Sequence, residues 1–204
     1  MTARRGARSM RRVAQAGALL AAALGAALPA QAGVEEGRAK AALCVTCHGA
    51  TGNSTMTGVP SLSAQPKQFL VSALFQFREG KRVNAVMSPL AANLTNADLN
   101  DLAAFFADQP AVATPAAAPE VIQEGKALAM QFNCVACHAA NLMGQQHIPR
   151  LAGQRAEYLL DQLRAFKATT RADMDGTMTS AAQALTPEHI DVLARYLAGL
   201  PATR

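Results

Sequence analysis

Cys44-Val-Thr-Cys47-His48 stands in the first half of the chain, and Cys134-Val-Ala-Cys137-His138 repeats its pattern in the second half. Cys-x-x-Cys-His is the spacing at which a c-type haem is attached covalently. Two thiols about one helical turn apart reach the two vinyl groups on one edge of the porphyrin, and the adjacent histidine turns its imidazole onto the iron. The motif therefore predicts two covalently bound haem c groups, with His48 and His138 as proximal iron ligands.

Other uses of the four cysteines fit this spacing less well. A disulfide within either motif would close a strained loop of two intervening residues. Zinc sites built from two Cys-x-x-Cys pairs usually have about 15–20 residues between the pairs, whereas Cys134 comes 87 positions after Cys47. A thioredoxin-type redox motif needs a strand–helix–strand setting, and no strand pattern surrounds either pair.

The two halves remain similar beyond the cysteines. Residues 59–65 (Val-Pro-Ser-Leu-Ser-Ala-Gln) match residues 148–154 (Ile-Pro-Arg-Leu-Ala-Gly-Gln), and matched positions are offset by 89 to 91 residues throughout. This similarity at a fixed offset indicates a duplicated domain. Further matches pair Phe69 with Tyr158, Leu74 with Leu163, Phe77 with Phe166, Leu94 with Leu185, Thr95 with Thr186 and Leu102 with Leu193.

A stretch with three prolines among small residues separates the two halves. Because proline cannot continue a helix, this stretch is typical of an extended linker. We predict a first domain at residues 33–108 (copy one), a linker at 109–118 and a second domain at 119–204 (copy two).

Each copy has the pattern of an all-α domain. Thr95 and Thr186 are expected N-caps of the last helices, on which apolar residues form one stripe each. The chain has no tryptophan and few other aromatic residues, so these small domains have thin cores that porphyrin largely fills. The other expected helices span about 35–43, 67–79, 120–132 and 155–167. The stripes consist of Leu99, Leu102, Phe105 and Phe106 in copy one and of Ile190, Leu193, Tyr196 and Leu197 in copy two.

The first 32 residues have the pattern of a secretory signal peptide. Residues 1–12 carry five arginines and no acidic residue, an apolar run follows over 13–28, and Ala30-Gln31-Ala32 resembles a cleavage site. We predict export to the periplasm with cleavage after about Ala32. A retained membrane anchor is the alternative, but the apolar run of about 16 residues is shorter than the roughly 20 that span a bilayer.

Removing these residues changes the charge of the chain. The formal net charge is +5, with 19 Lys and Arg against 14 Asp and Glu. Five of the 19 basic residues lie in the first 12 positions, which leaves 14 against 14 in the rest. A nucleic-acid-binding domain needs a basic face, so this function loses its support.

Methionine is the expected sixth ligand of each iron, because a histidine-bound c-type haem has one axial position open and methionine there raises its reduction potential. Met87 lies eight positions before Thr95, and Met178 lies eight positions before Thr186. The matched spacing favours Met87 and Met178, each expected in a loop ahead of the last helix. Met174 and His147 remain rivals, whereas Met56 and Met143 follow their proximal histidines too closely to reach the opposite haem face, and His189 is expected at the surface.

Taken together, the two motifs, the Pro-x-Leu-x-x-Gln repeats, the stretch Phe77-Arg-Glu-Gly-Lys-Arg82 and the Leu-Ala-x-Phe/Tyr ends of the last helices resemble the dihaem cytochrome c4 family over essentially the whole mature chain. The resemblance implies two mitochondrial-type cytochrome c folds that face each other, with haem propionates near the interface. It also implies proximal ligands at His48 and His138, distal ligands at Met87 and Met178, and electron transfer to periplasmic or membrane-bound partners.

The chain departs from the pattern of that family at three places. Ala139 stands opposite Gly49, Thr169 opposite Gly80, and copy one has Leu-Ser-Ala-Gln where copy two has Leu-Ala-Gly-Gln. These changes leave the ligands in place but leave the loop geometry and the relative potentials open.

The functional hypothesis is a periplasmic carrier of single electrons, with no catalytic residues. Its expected partners are a quinol:cytochrome c reductase, a terminal oxidase or a dehydrogenase, and peripheral association with a membrane is compatible with the sequence. One alternative is the electron-accepting subunit of a dehydrogenase such as flavocytochrome c sulfide dehydrogenase. A dihaem peroxidase or a thiosulfate-oxidising cytochrome is a further alternative, but matched methionines would fill the coordination site that such enzymes keep open.

Overall fold

The computed structural model describes the backbone of residues 29–202 and the side chains of residues 33–202. Residues 1–28 of the predicted signal peptide lie outside the described residues. Gly33–Arg204 forms one compact unit. Among the described helices, none has the length and apolar character needed to cross a membrane.

The described residues form ten helices, five in each copy and in the same order, which confirms the all-α prediction. The described part has no strand and only an isolated bridge between Gln145 and Ile148. In copy one the helices are α1 (Pro29–Lys40), α2 (Ala42–His48), α3 (Lys67–Arg78), α4 (Met87–Ala91) and α5 (Asn96–Asp108). In copy two they are α6 (Pro119–Gln131), α7 (Cys134–His138), α8 (Ala156–Lys167), α9 (Thr177–Gln183) and α10 (Pro187–Ala198).

The haem motifs lie on short helices of their own, which the sequence did not predict. Instead of one helix over 35–43, α1 ends at Lys40 and α2 carries the first motif. In copy two the chain passes through Asn133 with a φ of 55°, a left-handed conformation that ends a helix. Each copy therefore has a long helix followed closely by a short helix that carries the cysteines and the histidine.

A glycine lets the first helix of each copy approach the last helix closely. A Cβ at Gly37 of α1 would collide with the carbonyl oxygen of Asp101 on α5, and one at Gly125 of α6 would collide with the side chain of Tyr196 on α10. Only glycine fits at these two crossings. The apolar stripes of α5 and α10 are buried, as predicted from their spacing.

The N-caps of the last helices are confirmed. Thr95 Oγ1 accepts a hydrogen bond from the N–H of Asp98 at 3.2 Å, and the Asp98 carboxylate accepts one from the N–H of Thr95 at 2.9 Å. In copy two His189 takes the place of the carboxylate, since its Nδ1 accepts from the N–H of Thr186 at 3.3 Å. This reciprocal capping box gives His189 a structural role.

The segment between α5 and α6 has no helix and is bound along its length. The side chain of Asn53 donates to the carbonyl of Pro110 at 2.9 Å and accepts from the N–H of Val112 at 2.9 Å. Farther along, Thr114 Oγ1 donates to the carbonyl of Ala198 at 2.6 Å. This segment is thus held by copy one near its start and by copy two farther along.

Two matched glutamines join the copies. The Gln154 side chain accepts from the N–H of Ser61 and donates to its carbonyl, both at 2.8 Å. The Gln65 side chain accepts from the N–H of Arg150 at 2.8 Å and donates to its carbonyl at 3.0 Å. Because Gln65 matches Gln154 and Ser61 matches Arg150 in the repeat, the two pairs are reciprocal. We call this contact between the copies the seam.

Candidate haem sites

The two haem motifs lie on α2 and α7 and carry free thiols. No disulfide joins any of Cys44, Cys47, Cys134 and Cys137. Over the described range 33–202, no group of three or more His, Cys, Asp or Glu side chains could hold a metal ion.

The first thiol of each motif has the wrong electrostatics for a thioredoxin-type redox pair. Burial raises the pKa of Cys44 and of Cys134 above the ordinary thiol value. Redox-active Cys-x-x-Cys motifs depend instead on a lowered thiol pKa, because the thiolate is the nucleophile. The alternative of a redox disulfide is accordingly disfavoured in both copies.

Each proximal histidine is oriented by a backbone carbonyl. His48 Nδ1 lies 2.8 Å from the carbonyl oxygen of Pro60, and His138 Nδ1 lies 2.8 Å from that of Pro149. A carbonyl can only accept a hydrogen bond, so Nδ1 carries the proton and Nε2 keeps its lone pair for a metal. The geometry selects the tautomer that an iron ligand requires.

Burial keeps both imidazoles in the neutral form. The side chains of His48 and His138 are only 5% and 4% exposed. Burial lowers the pKa of each below the ordinary histidine value, and the hydrogen bond to the proline carbonyl raises it in part. A neutral imidazole with a fixed Nδ1–H is ready to bind iron without first losing a proton.

Met87 and Met178 lie at the starts of short helices, so the expectation of loops was wrong. Met87 is the first residue of α4, and Met178 is the second residue of α9. Asn84 Oδ1 accepts the N–H of Met87 at 2.9 Å, and an Asp173 carboxylate oxygen accepts the N–H of Met178 at 2.9 Å. Both methionines are half-buried, and a polar side chain shortly before each one fixes its backbone.

The rival residues have other surroundings. Met174 is 61% exposed, and His147 is exposed as well. Met143 is buried in the apolar core of copy two, where a flexible thioether ordinarily fills space. Met56 is 47% exposed and, like Met143, follows its motif closely.

The loops around the sites keep their shape where the repeat departs from glycine. Gly49 has a φ of 83° and Ala139 a φ of 67°, while Gly80 has a φ of 66° and Thr169 a φ of 56°. The substituted residues adopt the left-handed conformation of their glycine counterparts at some cost in strain. The third departure behaves in the same way, with Ala64 at 51° and Gly153 at 63°.

Ala139 offers a direct measure of this strain. Its φ of 67° and ψ of 160° fall in a region that essentially only glycine populates, at a cost of about 1–3 kcal/mol. We expect Ala139→Gly to raise the free energy of unfolding by about 1 kcal/mol, after allowing for the greater freedom of glycine in the unfolded chain. Chemical denaturation of the haem-loaded protein measures the change. Ala140→Gly is the control, since Ala140 has no positive φ, and an equal gain there would refute the strain.

Two sets of functional residues escaped the sequence analysis. The proline carbonyls that orient the histidines lie in the repeated Pro-x-Leu-x-x-Gln segments, so the repeat contained a signal that could have identified them. Asn84 and Asp173 stand three and five positions before their methionines. The unequal spacing hides their shared role from an alignment of the two copies.

Comparison with known proteins identifies the class. The cytochrome c family model matches residues 34–109 and 122–201. A cytochrome c4 of Thiocapsa roseopersicina is 37% identical over 188 residues, which cover 86% of this chain and 96% of that protein. The crystal structure of reduced recombinant cytochrome c4 from Pseudomonas stutzeri superposes with a TM-score of 0.76 at 30% identity, covering 82% of this chain and 98% of that one.

A thiosulfate dehydrogenase electron acceptor of Thiomonas intermedia is 34% identical over 174 residues, covering 79% of this chain and 80% of that protein. Fold, oriented histidines and family match together define a tandem c-type cytochrome. The chain belongs to the cytochrome c4 family, and it carries two covalently bound haem c groups. The neutral, carbonyl-anchored histidine beside a free thiol pair in each copy fits this cofactor.

Proposed function

We propose that the protein is a periplasmic carrier of single electrons and that both of its irons have histidine and methionine as axial ligands. Cys44 and Cys47 bind one haem, and Cys134 and Cys137 bind the other. The proximal ligands are His48 and His138, and the distal ligands are Met87 and Met178. When bound, each haem supplies an iron that cycles between the ferrous and ferric states, so it takes up and returns one electron.

The observation that carries this proposal is the matched pair of histidine–carbonyl hydrogen bonds. In both copies the chain fixes one imidazole nitrogen as a donor and leaves the other as an acceptor. Polar side chains likewise fix the backbone of the methionine in both copies. An iron held by the histidine and the methionine of its copy would have no position left for a substrate, which is what an outer-sphere carrier needs.

Substitution of the methionines tests the ligation. The ferric protein should give two low-spin electron paramagnetic resonance signals at low temperature. Met87→Ala should abolish one signal and Met178→Ala the other, because each variant opens one axial position. Met174→Ala is the control and should leave both signals unchanged. A high-spin iron in the parent protein, or a signal that is indifferent to its methionine, would refute the ligation.

A second candidate function is electron acceptance from a dehydrogenase as its dedicated subunit. The similarity to the thiosulfate dehydrogenase electron acceptor of Thiomonas intermedia favours it. Stopped-flow reduction by a thiosulfate dehydrogenase with thiosulfate, compared with reduction by a quinol:cytochrome c reductase, separates the two roles. Fast reduction by the dehydrogenase and co-purification with it would support the subunit role, whereas fast reduction by the reductase would support the free carrier.

The domain limits and export are part of the same proposal. Copy one spans residues 33–108, copy two spans 119–204, and residues 1–32 direct export. Cleavage after Ala32 would fall within α1 and leave Gly33 as the first residue. Mass spectrometry of the mature protein from a periplasmic extract tests this, since a mass that retains residues 1–32 would contradict cleavage.

A further inference from the structure

Two arginines at matched positions meet at the seam. Arg82 follows Phe77 by five positions in copy one, and Arg171 follows Phe166 by five positions in copy two. Each guanidinium lies over its phenylalanine ring, with its central carbon 4.5 Å and 4.4 Å from the ring centre respectively. The backbone repeats as well, since the N–H of Arg82 bonds the Gln76 carbonyl and that of Arg171 bonds the Ala165 carbonyl.

The side chains do not follow this symmetry, because only copy two offers acceptors. Arg82 crosses the seam, and its Nη2 donates to Tyr158 Oη at 3.1 Å and to Gln162 Oε1 at 2.9 Å. Arg171 Nη1 donates to the same oxygen of Gln162. The corresponding residues of copy one are Phe69 and Ala73, which have no polar side-chain atom. Both guanidiniums therefore donate to side-chain oxygens of copy two.

This pair of like charges forms no direct ion pair with a carboxylate of the described residues. The ion pairs there include neither Arg82 nor Arg171, and Asp173 acts on Arg171 only at longer range. Arg171 Nε is buried without a hydrogen-bond partner. Buried charges are normally paired with an opposite charge. Here two guanidiniums share one neutral amide oxygen, so an anion bound beside them would be stabilised.

Tyr158 completes the site. Its hydroxyl oxygen accepts from Arg82, so its own hydrogen remains available to an anionic acceptor. Burial alone would raise the pKa of this phenol, but the charges of Arg82 and Arg171 outweigh burial and lower it. Burial also lowers the pKa of Arg171 to about 10, which leaves it charged at neutral pH. Two cations and one hydroxyl donor thus lie close together in a partly desolvated setting.

A haem brings the matching chemistry, because its two propionates are carboxylates, and guanidinium pairs with carboxylate by strong charge-assisted hydrogen bonds. We infer that Arg82, Arg171 and Tyr158 form one carboxylate clamp for haem propionate at the seam, and that Arg82 of copy one acts on the haem of copy two. Arg82 is a positioning residue in this role. The inference rests on the proposed ligation only in assigning one haem to each copy.

The test compares Arg82→Gln with Lys81→Gln in the haem-loaded protein. Both variants remove one positive charge from adjacent positions, but Lys81 is exposed and lies outside the seam. A nearby positive charge favours the ferrous iron, so its loss lowers the reduction potential. We expect Arg82→Gln to shift the potential of the copy-two haem downward by more than that of the copy-one haem, with Arg82→Lys retaining most of the parent value. Spectroelectrochemistry gives both potentials, and Met87→Ala and Met178→Ala assign them.

A second readout reports on the propionates themselves. Resonance Raman propionate-bending modes of the copy-two haem should shift in Arg82→Gln and Arg171→Gln but not in Lys81→Gln. Unchanged modes, or a potential shift confined to copy one, would overturn the inference. Reduction potentials of the unsubstituted protein that change with the chloride or phosphate concentration would mean that a free anion occupies the clamp. This result would also overturn the inference. Electron paramagnetic resonance of the same samples checks the ligation independently, so failure of the clamp and failure of the ligation are distinguishable.

Discussion

Gln65→Leu should lower the free energy of unfolding by about 2–6 kcal/mol, since it leaves two buried polar groups without their partner and each such group costs about 1–3 kcal/mol. The side chain of Gln65 is only 2% exposed and is hydrogen-bonded to both the N–H and the carbonyl of Arg150. Leucine has a similar size but supplies neither a donor nor an acceptor. Guanidinium denaturation of the haem-loaded protein, followed by the haem absorbance and by circular dichroism, measures the loss.

The same substitution should also uncouple the two copies. The reciprocal glutamine pairs tie copy one to copy two, so weakening one of them should split a single transition into two. Gln68→Leu is the matched control, because Gln68 lies three positions after Gln65 and is exposed on α3. If Gln65→Leu and Gln68→Leu had equal stabilities and each kept one transition, the glutamine pairs would not be what couples the copies.

Gln65 also shows where sequence reasoning reached its limit. The repeat places Gln65 and Gln154 at matched positions, so their importance could be seen, but their partners could not. A hydrogen bond between a glutamine side chain and the backbone of another domain produces no periodic pattern and no characteristic spacing in the sequence. Its role depends on which carbonyl and N–H the folded chain brings opposite it, and this is a tertiary property.

The long helices could be predicted from the spacing of their apolar residues, whereas the short helices could not. The helices α3 (Lys67–Arg78) and α8 (Ala156–Lys167) lie within one residue of their expected limits, because a dozen residues contain several helical repeats. By contrast, α4 has five residues and α9 has seven. Segments this short show no period, and tertiary contacts decide whether they are helical. The methionines on them were therefore expected in loops.

Arg82 illustrates a third limit. The stretch that contains it supported the family resemblance, yet nothing in the sequence indicated that its side chain reaches Tyr158. The duplicated backbone places Arg82 and Arg171 at equivalent positions. Their hydrogen bonds differ because copy one has Phe69 where copy two has Tyr158. Duplication thus gives the two haem sites the same backbone geometry. A few side chains at the seam differ between the copies, and they give the two sites different electrostatic surroundings.

Gly37→Ala should be among the most damaging single-methyl changes in the chain. Its Cβ would collide with the Asp101 carbonyl and would lie 2.7 Å from the Cβ of Phe105. The backbone of Asp101 cannot move aside as the end of a flexible side chain can, so α1 must move away from α5. We expect the free energy of unfolding to fall by about 3 kcal/mol, the upper end of the usual cost of overpacking. Thermal or chemical unfolding of the haem-loaded protein gives the value.

The effect should extend to the first haem site, because α1 leads through the buried Ala41 directly into α2, which carries Cys44 and His48. Displacement of α1 therefore moves the motif, and we expect less covalent haem in copy one, measured by mass spectrometry of the separated copies after proteolysis of the linker. Gly33→Ala is the control on the same helix, since a Cβ there would lie 3.4 Å from its nearest neighbour, an ordinary contact. Equal stability and equal haem content in Gly37→Ala and Gly33→Ala would show that the α1–α5 crossing does not position the motif.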